Sequence, residues 1–408
     1  MTQCDSERLM WFVCSVPVAI GLLLVCATSG AAEVCAYVVN SGADTVSVID
    51  ASAHVVRATI PVGRSPRAVV ISPDARRAYV ANAHSRTLSV IDTATNTVQE
   101  TVPAGRDPRD LAITRDGALV YVTNGSSDAV SVIDTATATL VATDIPAGSS
   151  PRGIALTPDG TRAYVTSVID DRVAVIDTAT RAVIDTVAAR KGPLDVAITP
   201  DGMCAYVTNG NAVSVIDVRT DTVVLNLRVG NSPRTVAVAP DGRYVYAGNS
   251  SKVFVIDAAS RTIDRAVRIA RPRAIAVTPD SNRIYVASGN AVTVMDARGR
   301  VVAPDIAVGD SPVDIAIAAV ATGCGAVPPA TATATPPPSP TPTFAACAGD
   351  CSGDAVVTVD ELLTLVRIAL GTAPVSVCEA GDLTGDDEIS VNEILFAVRA
   401  ALDGCRAG

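Results

Sequence analysis

A unit of about 41 residues, written seven times over, restricts this chain more than any other feature. The stretch "TPDGTRAYVTS" (157–167) returns as "SPDARRAYVAN", "TRDGALVYVTN", "TPDGMCAYVTN", "APDGRYVYAGN" and "TPDSNRIYVAS". Three markers keep the same phase. Tyrosines fall at Tyr37, Tyr79, Tyr121, Tyr164, Tyr206, Tyr246 and Tyr285, spaced 39 to 43 residues apart. A V-I-D or V-M-D element ends at Asp50, Asp92, Asp134, Asp177, Asp217, Asp257 and Asp296. Prolines open strands at Pro66, Pro108, Pro151, Pro193, Pro233, Pro272 and Pro312.

Inside a unit the hydrophobic period is two. "RGIALT", "TRAYVT", "AVSVID" and "TLVATDI" are short β-branched runs between turn residues, which predicts four strands. The "PDG" cluster joins the first two as a tight hairpin, its Gly supplying a positive φ. Each unit is therefore a four-stranded antiparallel meander with two apolar faces. Such a sheet cannot cover both faces alone, and stacking seven of them in a ring does so while protecting their edges. The expected fold is an all-β seven-bladed β-propeller over residues 33–324.

The ends support closure. The first unit starts at "CAYVVN" without its opening strand, and the last run, "VDIAIAAV" (313–320), has no unit after it. Together they complete one blade, the C-terminal strand innermost and three N-terminal strands outside it. Aligning Pro312 on Pro151 puts Cys324 beside the strand that begins near Cys35. A Cys35–Cys324 disulfide would clasp this seam; two unrelated thiols are the other reading. Cys204 is left as a lone buried thiol.

The recurring "AYVTN…VSVIDTAT…V.VG..PR.IA.TPDG" resembles the YVTN-type β-propeller family, related to bacterial surface-layer-like propellers, across residues 34–320. The resemblance implies a secreted or surface propeller that serves as a binding or interaction scaffold, without implying one activity.

Loops following the second and fourth strands of each blade should share one face. The fourth-strand loops read "VGRSPR", "AGRDPR", "AGSSPR", "ARKGPL", "VGNSPR", "IARPR" and "VGDSPV". Five place arginine at one position: Arg67, Arg109, Arg152, Arg234 and Arg273; Leu194 and Val313 interrupt the series. Arginines at the start of innermost strands would ring the channel mouth, and their planar donors suit carboxylate or phosphate. Alternatively each is neutralised by a repeated Asp of its own or the next blade. The other loops on this face are longer in "NAHSRT", "NGSSDA" and "SVIDDR" than in "NGNA", "NSSK" and "SGNA", giving an uneven rim.

Signals for catalysis are few. His54 and His84 are the only histidines, no C-x-x-C-H or G-x-S-x-G occurs, and Asp170 and Asp171 are adjacent loop acids of the kind that is normally solvated. A buried polar cluster at one end of the channel, departing from the repeat, would instead mark a propeller enzyme, lactonase-like or hydrolytic.

The net charge of −10 is uneven. Residues 33–320 carry 29 acidic and 28 basic side chains, residues 347–408 carry 11 and 3, and the segment between carries none. This balance gives no basic groove for nucleic acid. At the N-terminus, Arg8 precedes an apolar run (10–27) and "TSGAAE", which reads as an export signal (1–32) cleaved after Ala32; an uncleaved anchor is the alternative. No other stretch could cross a bilayer as a helix. The expected location is extracellular, cell-surface or periplasmic, with the propeller monomeric. Residues 325–346, rich in Pro, Thr and Ala, read as a semi-rigid extended spacer.

The tail holds two twelve-residue calcium loops. "DCSGDAVVTVDE" (350–361) offers Asp350, Ser352, Asp354, the Val356 carbonyl, Thr358 and Glu361. "DLTGDDEISVNE" (382–393) offers Asp382, Thr384, Asp386, the Glu388 carbonyl, Ser390 and Glu393. Calcium takes six to eight hard oxygens, and this spacing wraps them around one point. The sixth position, usually Gly, is Ala355 and Asp387, which strains each loop by roughly 1 kcal/mol. Amphipathic helical runs follow both loops. Cys347, Cys351, Cys378 and Cys405 allow three pairings, of which Cys347–Cys405 and Cys351–Cys378 join the ends and the loop starts. An acidic helical hairpin without metal is the competing reading. This tandem resembles a dockerin-like or EF-hand-pair module (347–408). The resemblance implies a cohesin-like or cell-surface partner, although the loop-ending glutamates and the cysteines depart from dockerins. The whole chain thus reads as an exported, non-catalytic propeller for a protein or glycan partner, joined to a calcium-binding docking module.

Overall fold

The computed structural model describes residues 32–230 and 232–324, together with Thr364. The chain divides into two units, Met1–Val327 and Pro328–Gly408, and the propeller belongs to the first. Apart from Ala32 and Thr364, the expected export signal, the spacer, both calcium loops and the Cys347–Cys405 and Cys351–Cys378 pairs lie outside the described residues.

The described residues contain 28 strands, numbered β1 to β28 in chain order, in seven four-stranded sheets. Blade 1 combines β28 (Pro312–Val320) with β1 (Glu33–Asn40), β2 (Thr45–Asp50) and β3 (Val55–Pro61), in the order β28-β1-β2-β3. Blades 2 to 7 span residues 66–103, 108–146, 151–188, 195–228, 235–268 and 274–307. Their innermost strands are β4 (Pro66–Ile71), β8 (Pro108–Ile113), β12 (Pro151–Leu156), β16 (Asp195–Ile198), β20 (Thr235–Val238) and β24 (Ala274–Val277). With β28 these strands neighbour one another in an unbroken circuit, while the outermost strands of adjacent blades barely meet. The sheets are therefore wedges around an axis, and the ring is closed.

Closure shows in the packing as well. One hydrophobic cluster fills each interface between adjacent blades: Tyr37, Val39 and Val48 meet Ala78, Val80 and Ile91 between blades 1 and 2. Ala36, Val38 and Ile49 meet Tyr285, Val292 and Val294 between blades 7 and 1. Small β-branched residues dominate because sheets pack face to face only where side chains on both inner faces interdigitate. At the seam, β28 pairs antiparallel with β1 with Tyr37 opposite Ala316, and Cys35 and Cys324 form a disulfide with Cα atoms 5.3 Å apart. Cys204 is a free, buried thiol.

The repeat markers each have a mechanical task. The seven tyrosine rings are buried, and the hydroxyls of five of them donate to the turn of the next blade. Tyr37 reaches Asn96 Oδ1 (3.1 Å), Tyr121 the Thr178 carbonyl (3.3 Å), Tyr246 the Ala297 carbonyl (2.8 Å) and Tyr285 the Ala51 carbonyl (3.2 Å). Tyr164 donates to Asp221, which also pairs with Arg162. The V-I-D aspartates cap the following turn: Asp50 Oδ1 accepts the Ser52 and Ala53 amides, and Asp134 Oδ1 those of Ala136 and Thr137. In the first hairpin the positive φ expected of Gly is met by Gly160 (72°), but Ala75 (55°) and Ser281 (60°) adopt it too. There a Ser or Thr hydroxyl on the Asp side chain holds the turn, as in Ser72 to Asp74 (2.6 Å). Blade 7 departs from the repeat, its outer strand β27 (Ile306–Ala307) being only two residues long.

Candidate functional site

The residue before each opening proline sits at positive φ: Ser65, Asp107, Ser150, Gly192, Ser232, Arg271 and Ser311, from 52° to 62°. This region is unfavourable for an L-residue, and more so ahead of proline. Amide hydrogen bonds from those residues compensate. Ser65 N donates to Asp44 Oδ1 (2.7 Å), Ser150 N to Asp128 Oδ1 (2.8 Å) and Gly192 N to Asp171 Oδ1 (2.7 Å). The loop of one blade thus fixes the start of the innermost strand of the next, where the arginines lie. Asp170 has a similar duty, accepting from Ser149 N and Ser167 Oγ. Asp170 and Asp171 therefore serve separate loops and do not form an acid–base pair.

All five arginines converge on one cavity of about 200 Å³ at the mouth of the axial channel. Leu194 and Val313 complete the ring at the two blades without arginine. Arg109 pairs with Asp107 of its own loop (Nη2–Oδ2 2.6 Å). Among the described residues no ion pair reaches Arg67, Arg152, Arg234 or Arg273, so neutralisation by repeated aspartates applies to one arginine in five. The Nε of Arg67 is buried without a hydrogen-bond partner. Enclosure by the channel wall, then repulsion from Arg109 and Arg273, lowers the pKa of Arg67. Arg152 is lowered in the same way, with Arg109, Arg234 and Arg67 as its repelling neighbours, although water in the mouth still reaches its side chain.

A second tier lies among them, which the sequence reading missed. Asp110, Asp195 and Asp314 follow the arginine position by one residue and line the same cavity. Each bridges two blades. Asp110 accepts from its neighbour Leu111 N (2.8 Å) and from Ile154 N of blade 4 (2.9 Å). Asp195 accepts from Val196 N (2.8 Å) and from Val236 N of blade 6 (2.8 Å). Asp314 accepts from Val69 N of blade 2 (2.8 Å). Innermost strands expose unpaired amides toward the axis, and these carboxylates satisfy them. They serve blades in pairs, 1 with 2, 3 with 4 and 5 with 6; seven is odd, so blade 7, with Ala274 at this position, stands outside the scheme. The partner blades carry Ala68, Gly153 and Thr235 there, leaving room for the incoming strand. A Cβ on Gly153 would sit 2.8 Å from Asp195 Cα.

Burial raises all three carboxylates: Asp110 to about 6, Asp314 to about 7 and Asp195 to about 8. The charge of Asp110 adds to the rise at both Asp195 and Asp314, while the backbone amides oppose it. The signal was legible in the repeats: the residue after the arginine position runs Ala, Asp, Gly, Asp, Thr, Ala, Asp from blade 2 round to blade 1.

A larger depression of about 450 Å³ lies on the opposite face beside Pro158 and Gly202. Of its three arginines, Arg162 and Arg219 are paired with Asp221 and Asp217, and the exposed Arg115 alone has no ion pair among the described residues, against four such arginines at the axial mouth. No group of three or more metal-ligating side chains gathers among the described residues.

Comparison with solved structures finds the same fold in proteins of differing activity. Hydrazine synthase of Kuenenia stuttgartiensis aligns with TM-score 0.56 at 23% identity, over 61% of this chain and 88% of that one. A protein of unknown function from Desulfotomaculum acetoxidans aligns with TM-score 0.62 at 19% identity, over 70% and 99%. A Bacteroides uniformis protein provisionally assigned as a 6-phosphogluconolactonase aligns with TM-score 0.61 at 18% identity, over 70% and 99%. At these identities the likeness is one of fold. Comparison with curated proteins gave no significant match. Residues 3–119 and 110–300 match the YNCE-like beta-propeller family, in agreement with the seven four-stranded blades, and the chain belongs to that family.

Proposed function

We propose that this chain is an exported, non-catalytic binding propeller that takes an acidic group of a protein or glycan partner into its arginine-lined mouth, and that its tail is a calcium-stabilised docking module. The observation that supports the first part is the set of four arginines around one cavity that no ion pair reaches among the described residues. Like charges gathered around one half-open mouth repel one another, and a carboxylate or phosphate relieves that repulsion while supplying acceptors to planar donors. A cavity of about 200 Å³ admits one acidic group or one sugar-acid residue, while the rest of the partner stays on the rim. The acidic tail with its two twelve-residue loops supports the second part.

Binding of the full chain to an immobilised polyuronate, a neutral glucan and an acidic peptide tests the first part. Retention by the acidic ligands, weakened at least tenfold in Arg152→Gln/Arg234→Gln, is expected; equal retention by the neutral glucan defeats the reading. For the tail, calorimetric calcium titration of the full chain should show two sites, both lost in Glu361→Gln/Glu393→Gln.

An enzymatic reading has one observation in its favour. Asp110, Asp195 and Asp314 form a polar cluster off the repeat, with pKa values near neutrality. Against it, both oxygens of Asp110 and of Asp195 hold backbone amides. Hydrolysis of a sugar lactone by the wild type that disappears in Asp110→Asn would establish it.

A further inference from the structure

We propose that anion capture by the arginine ring is coupled to proton uptake by the aspartate tier, so that the channel holds a dianion more tightly in mildly acidic than in alkaline medium. This rests on the anion-binding reading above and adds its regulation.

The geometry is the foundation. Seven innermost strands and the residues just before them present eight charged groups to one cavity: Arg67, Arg109, Arg152, Arg234 and Arg273 with Asp110, Asp195 and Asp314. A sphere of about 200 Å³ is roughly 7 Å across. That lies within one Debye length of about 8 Å, so salt screens the two tiers from each other and from a ligand only in part. Asp107 neutralises Arg109, so with every group ionised the five arginines and four aspartates leave the mouth at +1; with the three tier aspartates protonated it stands at +4. An anion entering the ring therefore favours the protonated tier, and by reciprocity the protonated tier favours the anion.

The aspartates can take protons while staying anchored. Asp110 and Asp195 each accept one amide per oxygen, so a proton on one oxygen weakens that amide bond and leaves the other oxygen as a full acceptor holding the second blade or its own strand. None is locked by an ion pair among the described residues. Their raised pKa values, about 6 to 8, place the change within ordinary pH. If a bound dianion raises one aspartate by a further unit, its own affinity changes tenfold across the window.

Sulfate is the probe, because its charge stays at −2 through this range. Calorimetry on the full chain at pH 5.5, 7.0 and 8.5 should show the dissociation constant rising tenfold or more from the lowest pH to the highest. At pH 7.0, titration in two buffers of different ionisation heat should show net proton uptake. His84 sits on the same face, and His84→Gln should leave both results unchanged. Asp195→Asn should tighten sulfate at pH 8.5 and flatten the pH dependence; should that variant not fold, the wild-type proton count still decides. Equal affinity at all three pH values without proton uptake overturns the coupling and leaves anion binding standing. No sulfate binding at any pH, or binding unaffected by Arg152→Gln/Arg234→Gln, overturns the anion reading and the coupling together.

Discussion

Removing the clasp between Cys35 and Cys324 tests how the ring is held shut. The pair is separated by 289 residues, so the disulfide closes a loop of nearly the whole propeller. In the chain-entropy treatment a loop of about 290 residues loses about 19 cal/mol/K in the unfolded state, or about 5–6 kcal/mol at 25 °C. Both half-cystines are buried, so Cys35→Ala/Cys324→Ala also loses some packing, by about 1 kcal/mol. The native seam keeps its β28–β1 ladder, and the variant should still fold. Equilibrium urea unfolding followed by circular dichroism, wild type against variant, measures the difference. A loss of about 6–7 kcal/mol is expected, with a steeper denaturant dependence in the variant because its unfolded chain is no longer cross-linked. A loss under about 1 kcal/mol with an unchanged slope would refute the unfolded-state argument and assign closure to strand pairing and packing alone.

Tyr164→Phe removes the hydroxyl that donates to Asp221 and should cost about 1.5–3 kcal/mol in urea unfolding, the range for hydrogen bonds to charged groups. Gly153→Ala forces a Cβ against the backbone of β16 and should destabilise by about 1–3 kcal/mol, without the recovery that a surface Gly→Ala gives. The pH dependence of stability has a definite sign. Asp110, Asp195 and Asp314 are raised above their unfolded values, so the folded state holds more protons and stability falls as pH rises from about 4 to about 8. The turn-capping Asp50, Asp134 and Asp177 are lowered, so their stability is present above the unfolded value and is lost below about pH 4. The urea midpoint should therefore peak near pH 4, and Asp195→Asn should flatten the alkaline slope. A midpoint that rises steadily from pH 5 to 8 would contradict the assignment.

The comparison of blades explains why parts of the site were readable in advance. Pro66, Pro151 and their equivalents fix where each innermost strand starts, so Arg67 and Arg152 could be placed at the mouth by alignment. What those arginines face could not. Whether Arg109 meets Asp107 while Arg234 meets no carboxylate depends on local loop geometry that identical spacing does not encode. The aspartate tier was overlooked because each Asp, taken within its own unit, looks like an ordinary residue beside a strand start. Its partner amide belongs to another blade: Asp314 and Val69 are 245 residues apart.

The amino-acid order by itself determined the blade, because turn chemistry, a period of two and the buried "AYV" run act within about 41 residues. It also determined the shared closing blade, since a missing first strand and a surplus last one have a single mutual solution. Only the folded ring decided that five guanidiniums and three carboxylates share one small cavity, and that tyrosine hydroxyls latch five of the seven blades to the next. Those meetings depend on how tightly the sheets wedge around the axis, a property of all seven interfaces together that no stretch of chain carries alone.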